Sequence, residues 1–502
     1  MYRTNVSLFA LLAILLSACT KSAHSAPWLG TSSPAQPVSV LEGGATPNPY
    51  EPLHRALGQP ILTPTPDSPH NLPGLRVGAQ QYTVKSGDTL FSIAQRFNIL
   101  PELITQASQL QNPNALSPGQ VLIIPPLDVS EPGPGFKIIP DSELVYGPYS
   151  STFDVAAFVN DHAGYLAAYT ENVDGQTLSG AAVVQRVADD YSVNPRLLLA
   201  VLEHQSRWVT GGEAGEYPLG WQDARYAKLY RQLAWAADQL NRGYYLWRVN
   251  GIGSWQLPDG ESIPVDATIN AGTAGVQLFF SNLLAHDQWL KAVTEQGLFA
   301  TYQNLFGYPF DYAFEPILPD GLSQPSLQLP FETGVAWAYT GGPHGGWDSG
   351  SAWAALDFAP PPGNLGCARN NEWVVAAADG LVVRADHGAV VQSLDGDAYA
   401  QTGWSLLYMH IESRARVSVG TYLKAGERIG HPSCEGGIST GTHLHLARRY
   451  NGEWIPADQD LPFNLEGWIS SGDGVVYEGL LKKGSQVIRA EDGWRDYNLI
   501  QR

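Results

Sequence analysis

Two tracts rich in Pro, Ser and Gly, residues 19–80 and 128–145, limit what this chain of 502 residues can fold into. The first contains Pro64-Thr65-Pro66-Asp67-Ser68-Pro69 and the second Glu131-Pro132-Gly133-Pro134-Gly135, and no apolar period runs through either. They read as an extended tether and a linker, so no single core is expected to run through the whole chain. The length suits about three domains. Charged residues are 15% and hydrophobic residues 44%, which places the remaining segments among globular rather than disordered sequences.

The segments between the tracts differ in their period. Residues 81–127 read as a β-α-α-β module. Tyr82-Thr83-Val84 forms a strand, and Asp88 is placed as the cap of a helix carrying Leu90, Ile93, Ala94 and Phe97. Leu103, Ile104, Ala107 and Leu110 mark a second helix, and Val121-Leu122-Ile123-Ile124 a closing strand. Residues 146–330 are mostly helical. Asn194 before Pro195 is a helix start, and further helices are expected over 183–190, 227–240 and 271–284. Residues 331–475 alternate short β-branched runs with Gly turns, as in Trp373-Val374-Val375-Ala376 followed by Ala378-Asp379-Gly380, which is an antiparallel all-β pattern. Residues 476–502 add a C-terminal β extension with no assigned role. The net charge of −19 argues against a nucleic-acid partner, which calls for clustered Lys and Arg.

Arg3, the apolar run over 6–16 and Leu16-Ser17-Ala18-Cys19 resemble a bacterial lipoprotein signal. The resemblance implies a signal peptide over 1–18, acylation of Cys19, export, and anchoring to the cell membrane facing the wall. It leaves an even pair, Cys367 and Cys434, for which an exported protein favours a disulfide, worth roughly 4 kcal/mol from the length of the loop it closes.

The module over 81–127, with YTVKSGDTLFSIAQRF and then LSPGQVLIIP, is similar to LysM modules, which implies binding to N-acetylglucosamine-containing glycans of peptidoglycan. Around Asn194 and Ser206 the helical segment resembles the lysozyme-like lytic transglycosylases. That family carries a Glu directly before the Ser, where this chain has Gln205. An amide cannot donate the proton that glycoside cleavage needs, and Glu203 points elsewhere on a helix. This domain is therefore expected to bind wall material or act as a spacer. Trp221, Trp235, Tyr244, Tyr245 and Trp247 are read chiefly as core and secondarily as sugar-stacking residues.

Three pieces of the all-β segment carry chemistry: Gly341-Gly342-Pro343-His344 with Leu356-Asp357-Phe358, then Tyr408-Met409-His410, then Thr442-His443-Leu444-His445. On a strand, i and i+2 share a face, so His443 and His445 enter one cleft about 6.5–7 Å apart at their Cα atoms. Lone histidines such as His204, His387 and His431 read as surface or core residues. The three pieces in this order resemble the lysostaphin-type (LytM-like and β-lytic) zinc endopeptidases over about residues 335–470. The resemblance implies Zn2+ held by His344, Asp357 and His445, with His410 and His443 catalytic and unligated, and hydrolysis of peptidoglycan peptide bridges by zinc-activated water. The spacing from His344 to Asp357 is that of a β-lytic subgroup. Asp348, four residues after His344, is the rival ligand, but the apolar flanks of Asp357 favour Asp357. The alternative function is a non-catalytic peptidoglycan-binding regulator of another wall hydrolase.

Overall fold

The computed structural model describes residues 63–502, apart from 71, 73–77, 86–87, 98, 100, 111, 113–114, 127–130 and 364–365. The signal peptide over 1–18, Cys19 and most of the tether lie outside the described residues. Among those described, no helix is long and apolar enough to cross a membrane.

The first unit pairs strands Gln80–Thr83 and Val121–Ile124 antiparallel beside helices Leu90–Phe97 and Pro101–Ala107. Val84, Ile93, Ala94, Ile104, Leu122 and Ile124 form a core of its own. Asp88 is not the helix cap expected for it. Its carboxylate accepts from Tyr82 Oη at 2.7 Å and from Lys85 N at 2.8 Å, tying down the turn. Thr89 is the cap instead: Ser92 N donates to Thr89 Oγ1, and Thr89 N to Ser92 Oγ, both at 3.0 Å.

Two parts of the Pro/Gly-rich tracts are packed rather than extended. Residues 63–70 lie along the helical part, with Asp67 N donating to Thr268 O at 2.9 Å and His70 stacked on Trp247 at 4.5 Å. From Gly133 onward the expected linker is interior: Ile138, Ile139, Leu144 and Val145 are buried. Glu143 is buried too, and Arg196 holds it through a 2.6 Å ion pair joined by Tyr302. A short apolar run behind Pro and Gly gave no periodic signal, because it is held by tertiary contacts with only one helical turn, Asp141–Leu144.

The helical part is built on Gly180–Tyr191, Pro195–Ser206, Leu229–Arg248 and Ala271–Ser281. Asn194 caps the second through its side chain to Arg196 N. Leu229–Arg248 runs eight residues past its expected end, since its last turns are buried through Tyr244, Tyr245 and Trp247. It packs closely on Ala271–Ser281, where a Cβ on Gly243 would lie 2.6 Å from Ala274 O. Trp235, Tyr244, Tyr245 and Trp247 are core residues, and Trp221 stacks on Trp235 at 4.8 Å.

The remainder is built around one antiparallel sheet. From one edge its strands are Tyr422–Leu423, Gly380–Asp386, Ala389–Ser393, Trp404–Met409, Leu444–Tyr450, Ala355–Ala359, Ala336–His344 and Leu499–Gln501. One face buries Trp337, Tyr339, Leu356, Phe358, Tyr408 and Leu446 in the sheet's own core. The other face, with Ala355, Val391, Leu407, Ala447 and Trp454, joins the core of the helical part. The helical and β parts, expected as separate domains, are thus one packed body. The expected boundary at 475 also falls inside the fold: Trp468–Ser471 pairs with Leu480–Lys483, and Leu499–Gln501 forms an edge of the main sheet.

Polar contacts line this junction. Trp454 N donates to Tyr245 Oη at 2.9 Å, Arg384 pairs with Asp190 at 2.6 Å, and Arg248 pairs with Glu453 at 3.2 Å. Burial pushes the Glu453 carboxyl up to about 7 against the pull of Arg248. A carboxyl raised in the folded state stabilises the fold below its ordinary value near 4.5 and loses that contribution as pH rises through about 7. Glu453→Gln should therefore flatten the decline in unfolding midpoint between pH 4.5 and 7, measured by thermal denaturation across that range.

Candidate metal centre

Antiparallel pairing builds the site. His445, near the start of its strand, stands opposite Asp357 on one side and Met409 on the other. Asp357 in turn stands opposite Gly341. Two register shifts follow in the same pair of strands, one between Tyr339 and Gly341 and one between Gly341 and His344. Without the second, His344 would face residue 354 and point away from the cleft. The extra residue sets His344 opposite Ala355, on the face of Asp357 and His445. Gly341 leaves room for the carboxylate: a Cβ there would lie 2.7 Å from Asp357 Oδ2.

The three side chains close a small triangle. His344 Nε2 and His445 Nδ1 are 3.0 Å apart, and each is 3.3 Å from Asp357 Oδ1. His344 and Asp357 are buried, and the His445 side chain is 12% exposed. The outer nitrogen of each ring is held by a backbone carbonyl: His344 Nδ1 by Gly342 O at 2.8 Å and His445 Nε2 by Gly346 O at 3.1 Å. Those bonds put the proton on the outer nitrogen and turn a lone pair inward. Asp357 Oδ1 is buried without a hydrogen-bond partner. Burial works against its charge, yet His344 and His443 hold the Asp357 carboxyl well below the usual carboxylate range. Burial pushes the His445 imidazole down from its ordinary value. Two inward lone pairs and an unsatisfied carboxylate oxygen at these separations form a donor set for a cation. Tetrahedral ligands about 2.0–2.1 Å from Zn2+ stand ~3.3 Å apart, which matches the triangle. Among the described residues, His344, Asp357 and His445 are the group of three or more metal-type ligands that comes together.

His410 and His443 border this triangle. Their rings are 4.4 Å apart, and His443 Nε2 is 3.7 Å from Asp357 Oδ1. Their outer nitrogens are also held by carbonyls, His410 Nδ1 by Glu435 O at 3.1 Å and His443 Nδ1 by Gly441 O at 2.8 Å. Burial, with His443 and His445 beside it, pushes His410 down to about 3. Asp348 does not join them. It is exposed, and its carboxylate accepts from Tyr191 Oη of the helical part at 3.1 Å. His204, His431 and His387 lie outside the cluster beside Thr301, Glu372 and Asp386.

Sequence reasoning missed Tyr477. Its ring stacks on His344 at 4.3 Å, and its carbonyl accepts from Gly342 N at 2.7 Å. The turn that carries it joins the strands Trp468–Ser471 and Leu480–Lys483 of a smaller, separate sheet, and no pattern in its sequence marks it.

In the helical part, Gln205 Nε2 donates to Leu219 O at 2.8 Å. The Glu203 carboxylate is taken up by the turn after its helix, accepting from Val209 N at 3.0 Å and Thr210 N at 3.1 Å.

Cys367 and Cys434 are joined by a disulfide. It braces the loop bearing His443, with Thr442 N donating to Gly366 O at 3.0 Å, while Glu435 next to Cys434 holds His410. Replacing both cysteines by Ala should lower stability by up to roughly 4 kcal/mol, read from chemical unfolding. Reductant should reproduce the loss in the parent protein and leave the double variant unchanged.

Three family descriptions match separate stretches. Residues 82–125 match the LysM domain, residues 137–317 the N-terminal domain of LasA, and residues 355–456 peptidase family M23. The last begins after His344 and spans Asp357, His410, His443 and His445. Protease LasA of Pseudomonas aeruginosa is 27% identical over 341 residues, covering 63% of this chain and 74% of that protein. Beta-lytic metalloendopeptidase of Achromobacter lyticus is 29% identical over 171 residues, covering 32% of this chain and 40% of the relative. Among solved structures, the deep-sea M23 metalloprotease pseudoalterin aligns over 36% of this chain and all of its own, at 23% identity and a TM-score of 0.30. These matches support a peptidase of the M23 kind, joined to a LysM domain and to a helical region like the N-terminal domain of LasA.

Proposed function

We propose that this protein is an exported zinc endopeptidase, lipid-anchored through Cys19, that hydrolyses the peptide cross-bridges of peptidoglycan. The observation that carries the reading is the buried, unsatisfied Asp357 Oδ1 between the inward nitrogens of His344 and His445. His344, Asp357 and His445 are the proposed ligands. A bound Zn2+ would supply Lewis acidity at a scissile carbonyl and make water a stronger acid.

The protein's own groups do the rest. His443, its side chain 17% exposed and its Nε2 lone pair turned inward, takes the proton of the attacking water and passes it to the departing amine. Burial pushes His410 down from its ordinary value, which favours its neutral ring. Its neutral ring sits beside His443 and helps hold the proton there once it is taken up. The backbone carbonyls of Gly342, Gly346, Glu435 and Gly441 fix all four rings before substrate arrives.

The LysM domain keeps the enzyme on glycan, raising the local concentration of peptide bridges without new contacts at the site. The disulfide supports an oxidising, extracytoplasmic setting. The middle region is proposed to have a lysozyme-like helical form without glycan cleavage, since Gln205 is an amide and Glu203 is engaged by its own turn.

Dye release from purified wall, with mass analysis of the fragments, tests the reaction. New free amines are expected; new reducing or anhydro sugar ends would mean glycan cleavage, and neither would mean a binder. His445→Ala should lose zinc and lysis together while remaining folded. His443→Ala should keep zinc and lose turnover; loss of metal as well would reverse the two roles.

Two local substitutions probe the ligand set by metal titration. Asp357→Asn should weaken zinc binding strongly and Asp348→Asn should not. Gly341→Ala should also lower zinc affinity, because its Cβ would displace the Asp357 carboxylate.

A further inference from the structure

A second polar site lies where the helices meet the sheet. Arg449 occupies the strand and face of His445 four residues further on, roughly 13 Å away along the chain. It lines a cleft of about 340 Å³ that also takes in Asp189, Arg384, Gln401, Tyr146 and Val391. Arg449 is 4% exposed, and its Nε has no hydrogen-bond partner. Among the described residues Arg449 makes no ion pair, and the Trp454 ring lies 4.9 Å from its guanidinium carbon. Arg384, in the same cleft, is paired with Asp190 at 2.6 Å and with Asp386 at 2.8 Å. Asp189, on the Gly180–Tyr191 helix, has no ion pair among the described residues and accepts one bond, from Gln185 Nε2 at 3.2 Å.

An unpaired guanidinium inside a protein is unfavourable, and Arg cannot shed its proton to relieve the cost. Among the described residues the cleft therefore holds a cation without an ion pair, from the sheet, and an anion without one, from the helices. They have not paired with each other. A simple anion on Arg449 would meet the repulsion of Asp189, and a simple cation on Asp189 that of Arg449. A ligand with both charges at opposite ends meets neither.

We propose that this cleft binds a small zwitterion, an amino acid or dipeptide with free ends. Its carboxylate lies on the Arg449 fork and its ammonium on Asp189. Two parallel N–H···O bonds suit a carboxylate on Arg449. The volume suits a ligand of this size, and the Tyr146 ring and Val391 give it an apolar wall. Since Asp189 belongs to the helices and Arg449 to the sheet, the bound zwitterion bridges the two and tightens their packing. This site stands apart from the metal centre and does not depend on the reaction proposed there.

The test is calorimetric titration of the full chain with alanyl-alanine, in its L,L and D,D forms, alongside acetate and ethylammonium as the separate halves. One dipeptide is expected to bind one-to-one and raise the unfolding midpoint, with each half at least about tenfold weaker. Arg449→Met and Asp189→Asn should each weaken dipeptide binding by about tenfold or more, with zinc content unchanged. Should Arg449→Met fail to fold, Asp189→Asn carries the test alone, since its side chain is half-buried and isosteric. Absence of saturable binding by either dipeptide overturns the proposal, as does acetate binding as tightly as the dipeptide. An Asp189→Asn variant that binds like the parent also overturns it.

Discussion

The cross-strand pairing of His445 with Asp357 is the constraint on which the rest depends. A strand has a period of two, so a slip of one residue would send one of the pair into the apolar core. The core prevents this. Leu444 and Leu446 alternate with His445, as Leu356 and Phe358 do with Asp357, and all four are buried on the far face. Hydrophobic burial thus fixes the register, and the register brings two ligand-type groups within 3.3 Å. His344 enters by a different device, a bulge that reverses which way its side chain points.

Much of this was legible in the sequence. The i, i+2 spacing of His443 and His445 placed both in one cleft, and the apolar flanks of Asp357 marked it as the strand residue over Asp348. The structure brings His344, Asp357, His410, His443 and His445 together and leaves Asp348 against the helices. The bulges were not legible, because an extra residue has meaning only against a partner strand. Tyr477 was hidden for a related reason: it lies far along the chain from His344, in a turn with no pattern of its own.

The division into domains was the least legible level. Pro and Gly around residues 131–135 suggested a linker, yet Ile138, Ile139 and Leu144 behind them are core. The joint core has one trace in the sequence, the apolar residues Trp404, Leu406, Leu407 and Met409, which fall on both faces of one strand. Every residue of the strand Trp404–Met409 is buried, in a sheet of the antiparallel kind that often leaves one face to water. A strand apolar on both sides needs cover on both sides, and the helical part covers Leu407 and Met409.

That shared core has a consequence for how the protein is made. Synthesis runs from the helices to the strands, so the helical surface that receives Trp454, Leu407 and Ala447 emerges before any of these partners exists. Until the strands arrive, that surface is a sticky, half-finished interface of the kind that draws chaperones or aggregates. The strands, for their part, find a template already waiting. Folding in this order makes the helical part a participant in assembling a centre whose three ligand-type side chains all come from the sheet.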